Sequence, residues 1–175
     1  MSTHRIYLQL GSNLGKCEHN LMLASQAIEE RIGPIPVRSS VYKTNPWGKF
    51  AGNNVPAFYN QVLCVHTPLS PEALLSTCQA IERSLGKTSS HTASTPENNR
   101  VYTSRLIDID ILFYDQLVLQ TPTLTIPHCL LHCRTFVLEP LCEIAPTLMH
   151  PVLKQTVTEM LIQAKKQEDN SPYNL

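Results

Sequence analysis

Arg105-Leu106-Ile107-Asp108-Ile109-Asp110-Ile111-Leu112-Phe113 is the stretch that decides the fold. β-Branched residues dominate it, and apolar and acidic positions alternate from Ile107 to Ile111, which predicts a β-strand. A strand sends successive side chains to opposite faces. Ile107, Ile109, Ile111 and Phe113 are therefore expected on a core-lining face, and Asp108 and Asp110 together on the other. Two carboxylates this close repel each other unless a cation lies between or above them. Mg²⁺ suits the position, because it takes oxygen ligands and often uses one or two carboxylates plus substrate phosphates. Arg105 precedes Asp108 by three positions, where it can meet phosphate charge left uncompensated. A solvated face of an antiparallel sheet gives the same alternation, so the strand alone leaves both readings open.

Before this strand the chain alternates between strand and helix patterns. Ile6–Leu10 predicts a strand running into a turn at Gly11-Ser12-Asn13-Leu14-Gly15. Glu18–Ile32 carries an apolar stripe (Leu21, Leu23, Ala24, Ala27, Ile28) and predicts a helix that Gly33-Pro34 ends. Val37–Tyr42 and Phe58–His66 predict two more strands, separated by an irregular stretch that holds Trp47, the single tryptophan. Ser70-Pro71 predicts a capped helix start, with the helix running to Leu85 and ending at Gly86. Residues 87–103 are polar and aperiodic. After the acidic strand come a turn at Tyr114-Asp115-Gln116, a short strand at Leu117–Leu119, a helix at Val137–Cys142 and a last helix at Val152–Lys165. The order is β-α-β-β-α-β with additions: an α+β, ferredoxin-like split βαβ plan, its mostly antiparallel sheet packed by helices in a three-layer αβα arrangement. We expect a single domain over residues 1–165 and a polar tail over 166–175.

Composition narrows the class. The chain has 175 residues, 42% of them hydrophobic, and 14 basic residues balance 14 acidic ones. Neutral charge argues against a nucleic-acid or membrane-surface partner. No apolar run approaches a membrane span, and no signal-peptide pattern opens the chain, so a cytoplasmic location is expected. Six cysteines lack a framework spacing and are read as reduced thiols, mostly core residues.

Smaller motifs are weaker. Gly11-Ser12-Asn13 after a strand suggests close approach to a phosphate, though plain strand-to-helix punctuation explains it equally. A nucleotidyltransferase reading fails, because its acid pair should follow within a few residues. His128-Cys129-Leu130-Leu131-His132-Cys133 invites zinc, but no matching ligand pair stands elsewhere, and Cys129 and Cys133 are read as packing residues. Gln79 and Glu82 share a helix face, which ordinary solvation also explains.

Taken together these blocks resemble the 6-hydroxymethyl-7,8-dihydropterin pyrophosphokinases of folate biosynthesis, from Ile6 to about Met160. The likeness rests on Gly11-Ser12-Asn13-Leu14, Tyr42-Lys43-Thr44, Phe58-Tyr59-Asn60, Gln79-Ala80-Ile81-Glu82, Arg105 to Leu112, Ile126-Pro127-His128 and Arg134 to Leu141. The resemblance implies transfer of pyrophosphate from ATP, as co-substrate, to the pterin hydroxymethyl group, releasing AMP. It implies two Mg²⁺ on Asp108 and Asp110, with Arg105 and Lys87 as further catalytic cations. The pterin is expected on Phe136, with Phe58 at its edge and Thr44, Asn45, Pro46, Trp47 and Asn60 around it. ATP is expected against Gln79, Glu82, Tyr102, Arg105, Ile111, Thr125, His128 and Arg134. The likeness is compatible with a whole protein or with a module fused to, or associated with, the next enzyme of the pathway.

This sequence departs from the family between Gly86 and Arg105. The family's Gly-Pro turn before the central arginine is absent, and Lys87 stands where an arginine pair is usual. Lysine lacks the bidentate fork, so weaker clamping by this loop is expected. Pre-steady-state turnover of Lys87→Ala checks it: a loss above about a hundredfold, roughly 2.7 kcal/mol, would show a fully competent loop. Two other classes compete: a ferredoxin-like binding or regulatory module, and a degenerate enzyme that binds nucleotide without turnover. An RNA-binding module would want a basic sheet face with exposed aromatics, against which the acid pair counts.

Overall fold

The computed structural model describes residues 2–44, 56–86 and 106–170. Four antiparallel neighbours form the main sheet: β2 (Val37–Arg38), β4 (Phe58–Thr67), β1 (His4–Ser12) and β5 (Asp108–Tyr114), with β3 (Tyr42–Thr44) also on β4. Helices α1 (Cys17–Arg31) and α2 (Pro71–Ser84) cover one face; α3 (Thr135–Ile144) and α4 (Val157–Asp169) cover the other. A small hairpin, β6 (Leu119–Gln120) with β7 (Thr125–Ile126), follows β5. The three-layer, ferredoxin-like α+β plan expected from the element order is the observed fold.

Parity of the strands builds two cores. Ile6, Leu8 and Leu10 of β1, Leu63 and Val65 of β4, and Ile109 and Ile111 of β5 pack under α1 and α2. Tyr7, Val62 and Cys64 face the other way, toward Val137, Leu138 and Leu141 of α3 and Val157 and Met160 of α4. Ser70 caps α2 as expected, its hydroxyl accepting the Ala73 N–H at 3.3 Å. Gly33, after α1, has φ +151 and lies so close to the His66 carbonyl that no Cβ fits.

Four local expectations need correction. Phe113 does not share the face of Ile107, Ile109 and Ile111. Tyr7 pairs with Phe113 and Leu8 with Ile111, so Leu112 is an inserted residue; the bulge turns Phe113 to the second core beside Leu112. The strand expected over Val37–Tyr42 breaks in two, because the Ser39 hydroxyl takes the Val62 N–H at 2.9 Å and interrupts regular pairing. The last helix begins at Val157, not Val152. Thr156 and Glu159 form a capping box there, while the Val152 and Leu153 N–H groups are taken by the His150 ring. That helix also runs through Asp169, into the segment expected to be tail. Finally, Cys129 and Cys133 are exposed rather than packed; Cys17, Cys64 and Cys78 are the buried thiols.

Candidate active site

The sheet face that carries the second core turns polar at one end. There β1 finishes, β4 starts and β5 starts, so three strand termini converge. One cross-strand row reads Tyr42, Asn60, Gly11, Asp108, and the next reads Val62, Gln9, Asp110. Cross-strand partners share a face. Asp108 and Asp110 thus lie on the α3–α4 side, half-buried, in line with Gln9 and Asn60.

Small and polar neighbours shape this end. Gly11, between Asn60 and Asp108, leaves a gap that no other residue would: a Cβ there would stand 3.3 Å from the Asn60 side-chain oxygen. Asn60 is buried, and its oxygen accepts the Gln9 side-chain amide at 3.2 Å while its own amide donates to the Thr44 hydroxyl at 3.3 Å. Buried amides held on both sides keep one orientation. Gln9 was not among the residues singled out from sequence. Its parity with Tyr7 and Gly11 is legible along β1, but that it shares a face with the two aspartates follows only from the β1–β5 register.

A second wall comes from the chain after β7. Pro127, joined to Ile126 by a cis peptide bond, leads into His128. The His128 N–H donates to the Leu112 carbonyl at 3.0 Å, which fixes the turn to β5. The ring Nδ1 accepts the Leu130 N–H at 3.2 Å, so a neutral ring carries its proton on Nε2. Burial lowers the His128 pKa, the Arg134 cation lowers it further, and the Asp108 carboxylate pulls the other way. The three groups thus act on one another within one electrostatic neighbourhood. Arg134 stands at the N-cap of α3, its guanidinium 5.7 Å from the Phe136 ring centroid, a cation–π arrangement. Phe136 is half-buried against the second core.

The expected site residues therefore separate. Asp108, Asp110, Asn60, Thr44 and Phe58 come together at the polar end; His128 and Arg134 share an electrostatic neighbourhood with Asp108, and Phe136 lies beside Arg134 on the second core. Ile111 points the other way, into the core under α1 and α2, so its main chain alone could reach a ligand on that side. Glu82 is buried in the last turn of α2, and its carboxylate accepts the Ile109 N–H at 2.8 Å, the peptide between the two aspartates. Gln79 and Thr125 are exposed on α2 and β7. Asn45, Pro46, Trp47, Lys87, Tyr102 and Arg105 lie outside the described residues.

The donor set favours a hard cation. Two carboxylates stand beside a gap a Cβ would fill. That combination fits Mg²⁺, which keeps several waters and takes its remaining oxygens from substrate phosphate.

Comparisons with known proteins point the same way. Residues 7–146 match the model of the 7,8-dihydro-6-hydroxymethylpterin-pyrophosphokinase (HPPK) family. A 2-amino-4-hydroxy-6-hydroxymethyldihydropteridine pyrophosphokinase of Porphyromonas gingivalis is 39% identical over 147 residues, covering 83% of this chain and 93% of its own. The folic acid synthesis protein FOL1 of Dictyostelium discoideum is 36% identical over 155 residues, 89% of this chain but 22% of that protein. Among solved structures, wild-type Plasmodium falciparum HPPK-DHPS with pteroate superposes with a TM-score of 0.75 at 17% identity. That match covers 99% of this chain and 44% of the Plasmodium chain, somewhat under half its length.

Proposed function

The chain belongs to the 7,8-dihydro-6-hydroxymethylpterin-pyrophosphokinase family, and from that premise we propose how its own residues carry the reaction. It is an ATP-dependent pyrophosphokinase of folate biosynthesis, moving pyrophosphate from ATP to the hydroxymethyl group of 6-hydroxymethyl-7,8-dihydropterin. In that transfer the hydroxymethyl oxygen bonds to the β-phosphorus, the bond from that phosphorus to the α–β bridging oxygen breaks, and AMP leaves. The hydroxyl proton is released. Little covalent chemistry falls to the protein, so its work is positioning and charge neutralisation.

The observation that carries this reading is the placement of Asp108 and Asp110 side by side beside the gap at Gly11. These two carboxylates would hold Mg²⁺, two ions in this proposal. When bound, the ions neutralise the triphosphate and polarise the reacting phosphoryl group. His128 offers its Nε2–H to a phosphate oxygen, and its depressed pKa keeps the ring a neutral donor. Arg134 supplies a fixed positive charge on the same wall. Phe136, lying under that guanidinium, offers a flat apolar surface to the pterin, with Phe58 at the edge. Asn60 and Thr44 present hydrogen-bonding groups already oriented by Gln9. Arg105 and Lys87 are proposed to add charge on the triphosphate side, with Gln79, Glu82, Tyr102, Ile111 and Thr125 bordering the nucleotide. Glu82 would act largely through the β5 backbone it holds.

No described helix is long and apolar enough to cross a membrane; a cytoplasmic site of action is part of the proposal. So is fusion to, or association with, the enzyme that follows, supported by the much longer Dictyostelium and Plasmodium proteins. The test is direct. Purified, folded protein with Mg·ATP and 6-hydroxymethyl-7,8-dihydropterin should release AMP and the pterin diphosphate in equal amounts. Failure to release AMP overturns the assignment.

A further inference from the structure

Opposite the acid pair, one exposed carboxylate gathers more hydrogen bonds than its position explains. Glu143 lies near the C-terminal end of α3. Its Oε1 accepts the Ser40 N–H at 3.1 Å and the Ser40 hydroxyl at 2.8 Å; its Oε2 accepts the Tyr42 hydroxyl at 2.7 Å and the Ser40 N–H at 3.2 Å. On its other side the same segment is tied to β4: Ser39 N–H donates to the Val62 carbonyl at 2.9 Å, and Gln61 donates to the Ser39 carbonyl at 2.8 Å. Residues 39–42 are thus stretched between the sheet and a helix.

Stability does not require this. Val137, Leu138 and Leu141 already bury α3 against the sheet, and exposed polar contacts add little to folding. Geometry gives the better reason. Glu143 shares one rigid helix with Phe136, and its partner Tyr42 opens the three-residue strand that ends at Thr44. Thr44 in turn holds Asn60. The clamp therefore sets the distance between the aromatic wall and the hydrogen-bonding wall of the same recess.

We infer that Glu143 is a positioning residue for the pterin side of the site, holding the Thr44–Asn60 edge in register with Phe136 through Ser40 and Tyr42. The inference deepens the pyrophosphokinase reading and rests on it. The clamp is strongly polarised: its hydrogen bond to Glu143 pushes the Tyr42 phenol up to about 12, and the same bond holds the Glu143 carboxyl below the usual range. It stays charge-assisted at neutral pH.

Steady-state kinetics of wild type, Glu143→Ala, Glu143→Gln and Tyr42→Phe test it, with each variant's melting temperature measured alongside. Glu143→Ala should raise KM for the pterin about tenfold while kcat and KM for ATP stay within about threefold, because α3 and its Arg134 remain packed. Tyr42→Phe, which loses one bond and folds readily, should raise pterin KM about threefold. Glu143→Gln should fall between wild type and alanine, since its amide oxygen still accepts from Ser40. If wild type releases AMP and both Glu143→Ala and Tyr42→Phe bind pterin as wild type does, the clamp has no positioning role and the inference falls alone. The same holds if both KM values rise together in step with lost thermal stability. If wild type releases no AMP, the functional reading falls and takes the clamp with it.

Discussion

One face of one sheet is sealed by apolar packing at one end and carries polar side chains open to hydrogen bonding at the other. At the sealed end Tyr7, Val62, Cys64, Leu112 and Phe113 lie under α3 and α4, each nearly excluded from water. At the open end the same three strands present Gln9, Gly11, Asn60, Asp108 and Asp110. Strand parity is common to both ends, so alternation does not separate them. Two local features do. The bulge at Leu112 gives the sealed end two successive apolar side chains where a regular strand would give one. At the open end side chains hold each other by hydrogen bonds: Gln9 to Asn60 to Thr44, and Glu82 to the peptide between the aspartates. Packing builds the first end and polar bracing the second, so stability and turnover should respond to different substitutions.

Asp110→Asn makes the largest expected difference. Removing one of the two carboxylates proposed to hold Mg²⁺ should lower kcat/KM at least about a thousandfold, roughly 4 kcal/mol of transition-state stabilisation. The melting temperature should change little, because asparagine keeps the size of the side chain and one oxygen acceptor at a half-buried position. Phe113→Ala should do the reverse. Emptying the space of a fully buried ring costs about 3–5 kcal/mol of stability, while kcat of the remaining folded enzyme at low temperature stays near wild type. Urea unfolding and turnover measured on both variants check the pair. A Phe113→Ala enzyme that is stable but inactive, or an Asp110→Asn enzyme that is active but unstable, would erase the distinction between the two ends.

Gly11→Ala probes the boundary and should have a smaller effect. Gly11 has an ordinary strand conformation, and alanine removes the entropic penalty of glycine, about 0.5–1 kcal/mol. Against this, the new Cβ would press on the Asn60 side-chain oxygen. Stability should therefore move by less than about 1 kcal/mol. Pterin KM should rise several-fold, because Asn60 is pushed out of line with Thr44. Binding kinetics with unchanged pterin KM would show that the gap has no role in the site.

The two ends also differ in how far they were legible. Periodicity was enough for the layers: Leu21, Ala24 and Ile28 do face the core, and Ile109 and Ile111 do line it. Parity also put Asp108 and Asp110 together. The placement of Phe113 was not legible, because a bulge depends on what the partner strand does, and Tyr7 and Leu8 lie a hundred residues away. The start of α4 is written in the sequence: Thr156-Val157-Thr158-Glu159 is a capping-box pattern, which outweighs the apolar residues at Val152 and Leu153. At the site, family blocks pointed to His128, Arg134 and Phe136, yet Gln9 and Glu143 stayed hidden. Each acts through a partner distant in sequence, and a lone polar residue on a strand or helix usually means solvation. Ile111 marks the opposite limit: a block match carries no information about which face a side chain takes, and this one lies in the core under α1 and α2.

Two histidines carry the comparison to its smallest effect. His128 stands at the open end and His150 at the sealed end, where its ring meets Phe113 edge-on at 5.8 Å between centroids. Both rings accept backbone N–H groups on Nδ1, from Leu130 in one case and from Val152 and Leu153 in the other. Burial lowers both pKa values, with Arg134 adding to the effect at His128 and His132 at His150. A lowered histidine pKa means that the unfolded chain binds its proton first as the medium acidifies. The stabilising contribution is therefore complete above the ordinary value of about 6.5 and drains away as pH falls from there through the depressed values. Each histidine should add to the slope of stability against pH in that window, by at most about 1.4 kcal/mol per pH unit. His150→Asn, whose side-chain oxygen can still accept a loop N–H, should flatten the slope and leave kcat at pH 7.5 unchanged. His128→Asn should flatten it similarly and also lower kcat/KM, because the Nε2 donor is gone. Urea midpoints at pH 7.5 and 5.5 measure the first effect and AMP release the second. Equal loss of turnover in both variants would mean that the sealed end reaches the chemistry after all.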